Sequence, residues 1–112
     1  MHIFLELWNP KASWHSLIPA DRQALVAQLG QATTPIAQAG AIEIIGWGKA
    51  DPTVDHPEGH QYFAVWRAPT REALDQMREA ILRGGWYNYF DQVNVIGELT
   101  TPEAVIAEHF AM

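Results

Sequence analysis

Glu6 is the acidic residue with the strongest claim to chemistry, because it stands between two leucines in a strand-like segment. A carboxyl group that is removed from water has a raised pKa, which suits a general base or a proton donor. The alternative is a structural acid paired with an arginine, such as Arg22 or Arg67, or with a tryptophan N–H group. We take Glu6 as a candidate catalytic residue and keep the structural alternative open.

Aromatic and amide side chains on neighbouring strands are candidates for the walls of a small-molecule pocket around Glu6. Aromatic walls with a few convergent polar groups are typical of such pockets. The substrate-binding candidates are Trp8, Tyr62, Trp66 and Asn94, with Tyr89 placed at the pocket mouth by its helical spacing from Trp86. A packed dimer interface is also rich in Trp and Tyr, so it remains the alternative interpretation.

His60 is the second catalytic candidate, because it borders the third predicted strand beside Tyr62 and could act as a base. Asp55, His56 and His60 are spaced like metal ligands, but their Pro/Gly-containing loop supplies no further ligand. We therefore predict solvated loop histidines and no metal site. No histidine has the context of a haem axial ligand, and no glycine-rich phosphate loop is present, so we expect no cofactor.

Composition limits the function classes. The chain has 112 residues, enough for one domain spanning 1–112, and 13 acidic against 7 basic side chains give a net charge of −6. This charge disfavours nucleic acid and anionic membrane surfaces as partners. The absence of cysteine excludes disulfides, thiolate nucleophiles and cysteine metal sites. With no signal-like start and no membrane-length apolar run, a cytoplasmic protein is expected.

Periodicity predicts the element order strand–helix–strand–strand–helix–strand, followed by a short helix. The predicted strands are residues 2–8, 41–48, 61–67 and 92–99, and the predicted helices begin at 19, 70 and 101. Pro35 should kink or split the first helix, whereas Thr70 should cap the second. Residues 11–18 are predicted to be irregular, and 49–60 to form an exposed loop. Two helices covering one face of a four-stranded antiparallel sheet give a split βαββαβ sandwich.

The two sides of the predicted sheet differ in character. We expect the aliphatic set to face the helices, and it comprises Ile3, Leu5, Leu7, Phe63, Val65, Val93 and Val95. The aromatic side would then be covered by a second copy of the chain. In the reversed assignment, the aromatics line a cavity under the helices. A period of two fits both assignments, so the pattern does not distinguish them. Gly46 and Gly48 fall on the same predicted face as Ile44, which leaves room for a bulge.

The element order, the length, a first strand ending in LWNP and the stretch WYNYFDQVN resemble the dimeric α/β-barrel superfamily over nearly the whole chain. That group includes cofactor-free antibiotic-biosynthesis monooxygenases and EthD-like proteins, and this chain is similar to a branch of unassigned function. The resemblance implies an α+β ferredoxin-like fold with a short C-terminal helix, paired as a homodimeric barrel. It also implies a pocket for a hydrophobic or aromatic small molecule, used by a cofactor-free monooxygenase, isomerase or cyclase. The alternative is a non-catalytic metabolite-binding or structural dimer. No catalytic motif of the superfamily transfers to this sequence.

Overall fold

The computed structural model describes residues 1–112 and contains four strands and four helices. The strands are β1 His2–Pro10, β2 Glu43–Lys49, β3 Tyr62–Ala68 and β4 Phe90–Glu98. The helices are α1 Ala12–His15, α2 Pro19–Ala39, α3 Arg71–Arg83 and α4 Pro102–Phe110, and a 3-10 turn spans Trp86–Asn88. Apart from α1, which occupies the segment predicted to be irregular, this is the predicted order of elements.

The sheet is antiparallel throughout, with the strand order β2-β3-β1-β4. β1 therefore lies inside the sheet, and its residue Glu6 stands opposite Ala64 of β3 and Asn94 of β4. α2 and α3 both cover one side of this sheet. The predicted α+β split βαββαβ sandwich is confirmed, and it places Glu6 near the middle of the covered side.

The covered side of the sheet carries the aromatic residues, so the expectation that the aliphatic set faces the helices is wrong. Phe4 is fully buried, and Trp8 and Trp66 are only 6% and 8% exposed. They pack with Leu74, Met77 and Ile81, the inward stripe predicted for α3. Small residues on β3 (Ala64 and Ala68) lie between the rings and have no exposed surface, so a helix can approach the strand there. We call this side the helix-facing side.

The opposite side of the sheet, which we call the open face, carries the aliphatic set. Its β4 members Val93 and Val95 are 42% and 47% exposed. The members on β1 and β3 are partly buried by their neighbours in the sheet. No helix of the chain covers this face, which leaves a continuous apolar surface across three strands.

A β-bulge in β2 changes which side its residues face. The register shifts between Ile44, which pairs with Trp66, and Gly46, which pairs with Val65. As a result Trp47 stands opposite Ala64 and joins the helix-facing side. The prediction that Gly46 shares a face with Ile44 is wrong, because the extra residue reverses the alternation beyond it.

α2 contacts α3 more than it contacts the sheet. Leu29 is its one buried residue, and a Cβ atom added at Gly84 would lie 2.3 Å from the Leu29 Cδ2 atom. At the C-terminal end of α2, a Cβ atom at Gly40 would lie 2.6 Å from the Ala73 Cβ atom. These two glycines let α2 rest closely against α3, and a space remains between α2 and the sheet.

The helix ends agree with the capping and helix-terminating residues in the sequence. The Thr70 side chain accepts a hydrogen bond from the Ala73 backbone N–H group at 3.2 Å, which confirms the predicted cap. α3 ends at Gly84, as predicted, and Gly85 adopts a left-handed conformation with φ of 83°. α2 is not split at Pro35, which lies inside the helix on an exposed position where water can bond the carbonyl group left free.

Candidate functional site

A cavity of about 220 Å³ lies between α2, α3 and the helix-facing side of the sheet, and we call it the Glu6 cavity. Its lining consists of Glu6, Val26, Leu29, Gly30, Thr33, Trp47, Trp66, Met77, Ile81 and Trp86. Apart from Glu6, every one of these side chains is uncharged, and most are apolar. The cavity exists because α2 packs on α3 and leaves a space between itself and the sheet.

Glu6 is the buried polar residue of the core, with 4% of its surface exposed. Its Oε1 atom accepts a hydrogen bond from the Trp66 indole N–H group at 2.7 Å, and its Oε2 atom accepts one from the Gln92 amide at 2.7 Å. Burial raises the pKa of the Glu6 carboxyl group, while the hydrogen bonds from Gln92 and Trp66 act in the opposite direction. The carboxyl group is therefore held in place by two uncharged donors.

No cationic side chain lies within salt-bridge distance of Glu6. Arg67 instead pairs with Glu43 at 2.7 Å, and Arg22 donates to backbone carbonyl groups of Trp14 and His15. Of the two structural partners considered for Glu6, the tryptophan N–H group is present and the arginine is not. Arg67 cannot reach Glu6 because its odd position in β3 places it on the other side of the sheet.

Gln92 connects Glu6 to the rest of a polar network. Its Oε1 atom accepts from the Trp86 indole N–H group at 2.6 Å, and its Nε2 atom also donates to the Asn94 side-chain oxygen at 2.7 Å. The Asn94 amide in turn donates to the Tyr87 hydroxyl group at 3.0 Å. Because every hydrogen-bonding atom of the Gln92 amide is used, the group has one favourable orientation, and this fixes the position of the Glu6 carboxyl group.

Indole rings form the aromatic part of the site. Trp47 is 56% exposed and lies at the cavity mouth, with its ring centroid 5.0 Å from that of Trp8 and 6.2 Å from that of Trp66. Trp86 stacks on Phe90 at 3.8 Å between centroids. The cavity is thus bordered by three indoles, two of which also donate an N–H group to the polar network around Glu6.

The structure brings four of the predicted site residues together. Glu6 and Trp66 line the cavity. Trp8 does not line the cavity, and its ring packs edge-on against the ring of Trp47, which does. Asn94 reaches the Glu6 carboxyl group only through Gln92. Their roles in binding or catalysis stay predictions.

Three predicted site residues do not line the Glu6 cavity. Tyr62 stacks on Trp8 at 6.2 Å, and Tyr89 packs against the core, so the predicted place of Tyr89 at the pocket mouth is wrong. His60 lies at the far end of β3, where its Nδ1 atom contacts Glu58 and its Nε2 atom is 3.6 Å from an Asp91 carboxylate oxygen. The two acids hold His60 next to the loop and away from Glu6.

The sequence did not predict that Gln92, Trp47 and Trp86 belong to the site, nor that α2 forms one side of the cavity. A signal for Gln92 was present, because the strand alternation that places Asn94 beside Glu6 also places Gln92 on the same side. No such signal existed for Trp47, since the bulge in β2 decides its side. The cavity depends on how far α2 stands from the sheet, which no local pattern specifies.

Two kinds of functional feature are absent from the structure. No group of three or more His, Asp or Glu side chains is arranged to hold a metal ion. None of the helices combines the length and the apolar character that crossing a bilayer requires.

The sequence matches the model of one protein family over residues 1–112, and that family is described as a family of unknown function, DUF6616. The chain belongs to this family. No curated protein matches the sequence. The expected resemblance to a branch of unassigned function is confirmed.

Solved structures with the same fold include three that differ in length and description. A protein of unknown function from Rhodopseudomonas palustris is 16% identical, with a TM-score of 0.62 over 90% of this chain and 83% of that one. A mutant chlorite dismutase from Candidatus Nitrospira defluvii is 17% identical, with a TM-score of 0.69 over 99% of this chain and 45% of that one. A dimeric ferredoxin-like protein of unknown function from Thermobifida fusca is 12% identical, with a TM-score of 0.51 over 88% of this chain and 90% of that one. At these identities the likeness shows the fold alone, and it confirms the predicted ferredoxin-like class.

Proposed function

We propose that this member of the DUF6616 family binds a hydrophobic or aromatic small molecule in the Glu6 cavity. The observation that carries the proposal is the cavity itself, whose wall is apolar and aromatic except for one buried, hydrogen-bonded carboxyl group. Small-molecule sites commonly combine a concave apolar surface with a few fixed polar groups that orient the ligand. Here Gln92 and Trp66 hold the carboxyl group, so it is already positioned before a ligand enters.

Glu6 is the one ionisable side chain in the cavity wall, so it is the group there that can exchange a proton with a bound molecule. Burial raises its pKa, which makes the carboxylate a stronger base than an exposed glutamate. This supports proton transfer as the chemistry, of the kind that an isomerase or a cyclase performs without a cofactor. A cofactor-free monooxygenase would use the same base together with dioxygen as co-substrate. Non-catalytic binding of a metabolite is the second candidate, and it needs the same cavity without turnover.

We also infer that the chain acts as a homodimer through its open face. The aliphatic surface of three strands has no partner within the chain, and a contiguous apolar surface of this kind is uncommon on a monomer. α4 is likewise uncovered, with Val105, Ile106 and Phe110 exposed. A second copy would cover the open face by the same residues on both sides. The solved protein from Thermobifida fusca, which shares the fold, is described as dimeric.

A cavity-filling substitution tests the binding proposal. Gly30 lies on the α2 stripe that lines the cavity, and a Cβ atom added there would meet no atom within 4 Å. We therefore expect Gly30→Leu to fill the space without disturbing the core, and Ala32→Leu on an exposed position of the same helix to leave it open. Calorimetric titration with 1-naphthol and 2-phenylethylamine should show binding to the parent protein and to Ala32→Leu but not to Gly30→Leu. Binding that survives in Gly30→Leu, or that is absent for both probes in the parent protein, would refute the proposal.

Catalysis is tested separately from binding. Native mass spectrometry of the purified protein should show a retained small molecule, and incubation of that molecule with the parent protein should yield a product if the site is catalytic. Glu6→Gln should then bind the molecule and form no product. A Glu6→Gln variant with unchanged turnover would remove Glu6 from the mechanism.

A further inference from the structure

We propose that the molecule held at Glu6 carries a positive charge, such as an ammonium group on an apolar or aromatic body. This inference rests on the proposed function and names the chemical class of the ligand. Two features of the site carry it, which are a buried carboxyl group without a counter-ion and a wall of indole rings beside it.

The first feature is the missing counter-ion. The two donors to Glu6, the Trp66 indole and the Gln92 amide, are both uncharged. No Lys, Arg or His lines the cavity, and none lies within salt-bridge distance of the carboxyl group. A buried carboxylate without a cationic partner is costly, whereas the same group paired with a cation is not. A ligand with an ammonium group would supply the charge that the protein leaves out.

The second feature is the aromatic wall. Trp47, Trp66 and Trp86 border the same cavity as Glu6, and tryptophan is the side chain whose ring face attracts cations most strongly. The hydrogen bond from the Trp66 N–H group to Glu6 keeps that indole adjacent to the carboxyl group. An ammonium group placed beside Glu6 would therefore contact both a carboxylate and at least one indole.

The charge of the chain acts in the same direction. Its net charge of −6 attracts cations and repels anions, and no basic side chain in the cavity offsets the repulsion between Glu6 and an anionic ligand. A neutral ligand that accepts a hydrogen bond from protonated Glu6 is the competing possibility, and the experiment is designed to separate the two.

The experiment uses three probes with the same aromatic ring and different charges. These are 2-phenylethylamine as the cation, 2-phenylethanol as the neutral analogue and 3-phenylpropanoate as the anion, each titrated at neutral pH by calorimetry. We expect the cation to bind about tenfold more tightly than the alcohol, and the anion to bind most weakly. Glu6→Gln should reduce the preference for the cation to about threefold, which is the share that the indole rings contribute. Glu98→Gln, an exposed substitution at the end of β4, should leave the preference unchanged.

A second variant tests the inference even if Glu6→Gln does not fold. Trp47 is more than half exposed, so Trp47→Leu removes an indole at the cavity mouth without opening the core. We expect it to weaken binding of the cation by about threefold and to change binding of the alcohol less.

The outcomes separate this inference from the proposed function. The inference is overturned if the alcohol binds as tightly as the cation, or if the preference for the cation is as large in Glu6→Gln as in the parent protein. In either case the cavity remains a binding site. If neither these probes nor 1-naphthol binds, the proposed function fails as well.

Discussion

Replacing Glu6 by glutamine should destabilise the protein in a way that depends on pH. The two atoms facing the Glu6 oxygens are both N–H donors, from Trp66 and Gln92. A glutamine at this position can accept one of these bonds with its oxygen, but its own NH₂ group must face the other donor. One buried donor is then left without a partner, which costs about 1–3 kcal/mol of unfolding free energy. A protonated Glu6 avoids this cost, because both of its oxygens can still accept.

The pH dependence follows from the raised pKa of Glu6. Burial raises the pKa of this carboxyl group above its ordinary value of 4.5. Between that value and the folded-state pKa, the folded protein keeps a proton that the unfolded chain has released. The contribution of Glu6 to stability is therefore fully present below pH 4.5 and is lost as the pH rises through the folded-state pKa. Within this window the loss is at most about 1.4 kcal/mol for each pH unit.

The difference between the parent protein and Glu6→Gln isolates this effect, because all other titrating groups are common to both. The unfolding free energy of the parent should exceed that of Glu6→Gln by about 1–3 kcal/mol near pH 4. This gap between the two unfolding free energies should become smaller as the pH rises. Tyr87, the other titrating member of the network, ionises outside this range because burial raises its pKa from 10.0. Urea unfolding followed by far-UV circular dichroism, at one protein concentration and at several pH values between about 4 and 8, measures the gap.

Glu98→Gln is the matched control, because Glu98 is exposed at the end of β4 and makes no salt bridge. Its unfolding free energy should be close to that of the parent protein, because the substitution removes no salt bridge and no buried contact. The reasoning about Glu6 is refuted if the gap for Glu6→Gln stays constant across the range, or if it widens as the pH rises.

Four further substitutions test other parts of the structure. Gln92→Leu should lower the unfolding free energy by about 1–3 kcal/mol and raise the pKa of Glu6 further, which shows as a shift of the pH window to higher values. Gly84→Ala should destabilise by about 1–3 kcal/mol in urea unfolding, because its Cβ atom would collide with α2, whereas Gly30→Ala should stabilise by up to about 1 kcal/mol. Equal effects of the two glycine changes would contradict the packing of α2 on α3. Val95→Lys should convert a dimer to a monomer in analytical ultracentrifugation, and a dimer that persists would rule out the open face as the interface.

The sequence alone determined the element order and most of the helix ends. The alternation along β1, the Thr70 cap and the stripe of Leu74, Met77 and Ile81 on α3 were all predicted correctly. These features depend on residues within one or two turns of each other, where steric preference and hydrogen bonding act locally. Glu6 was recognised for the same reason, since an acid between two leucines is visible in the chain itself.

Only the tertiary structure decided which side of the sheet is covered. When both sides of a strand are apolar, its alternation does not show which side faces the core. The aromatic side and the aliphatic side were therefore equally good candidates, and the packing of α3 on the aromatic side decided between them. The side of Trp47 depended on a single extra residue in β2, and the partner of Glu6 depended on the register between β1 and β4. The cavity depended on the packing of α2 on α3, where Gly40 and Gly84 allow a close approach. Each of these is a contact between residues far apart in the chain, and such contacts are fixed by how the elements pack and not by their own patterns.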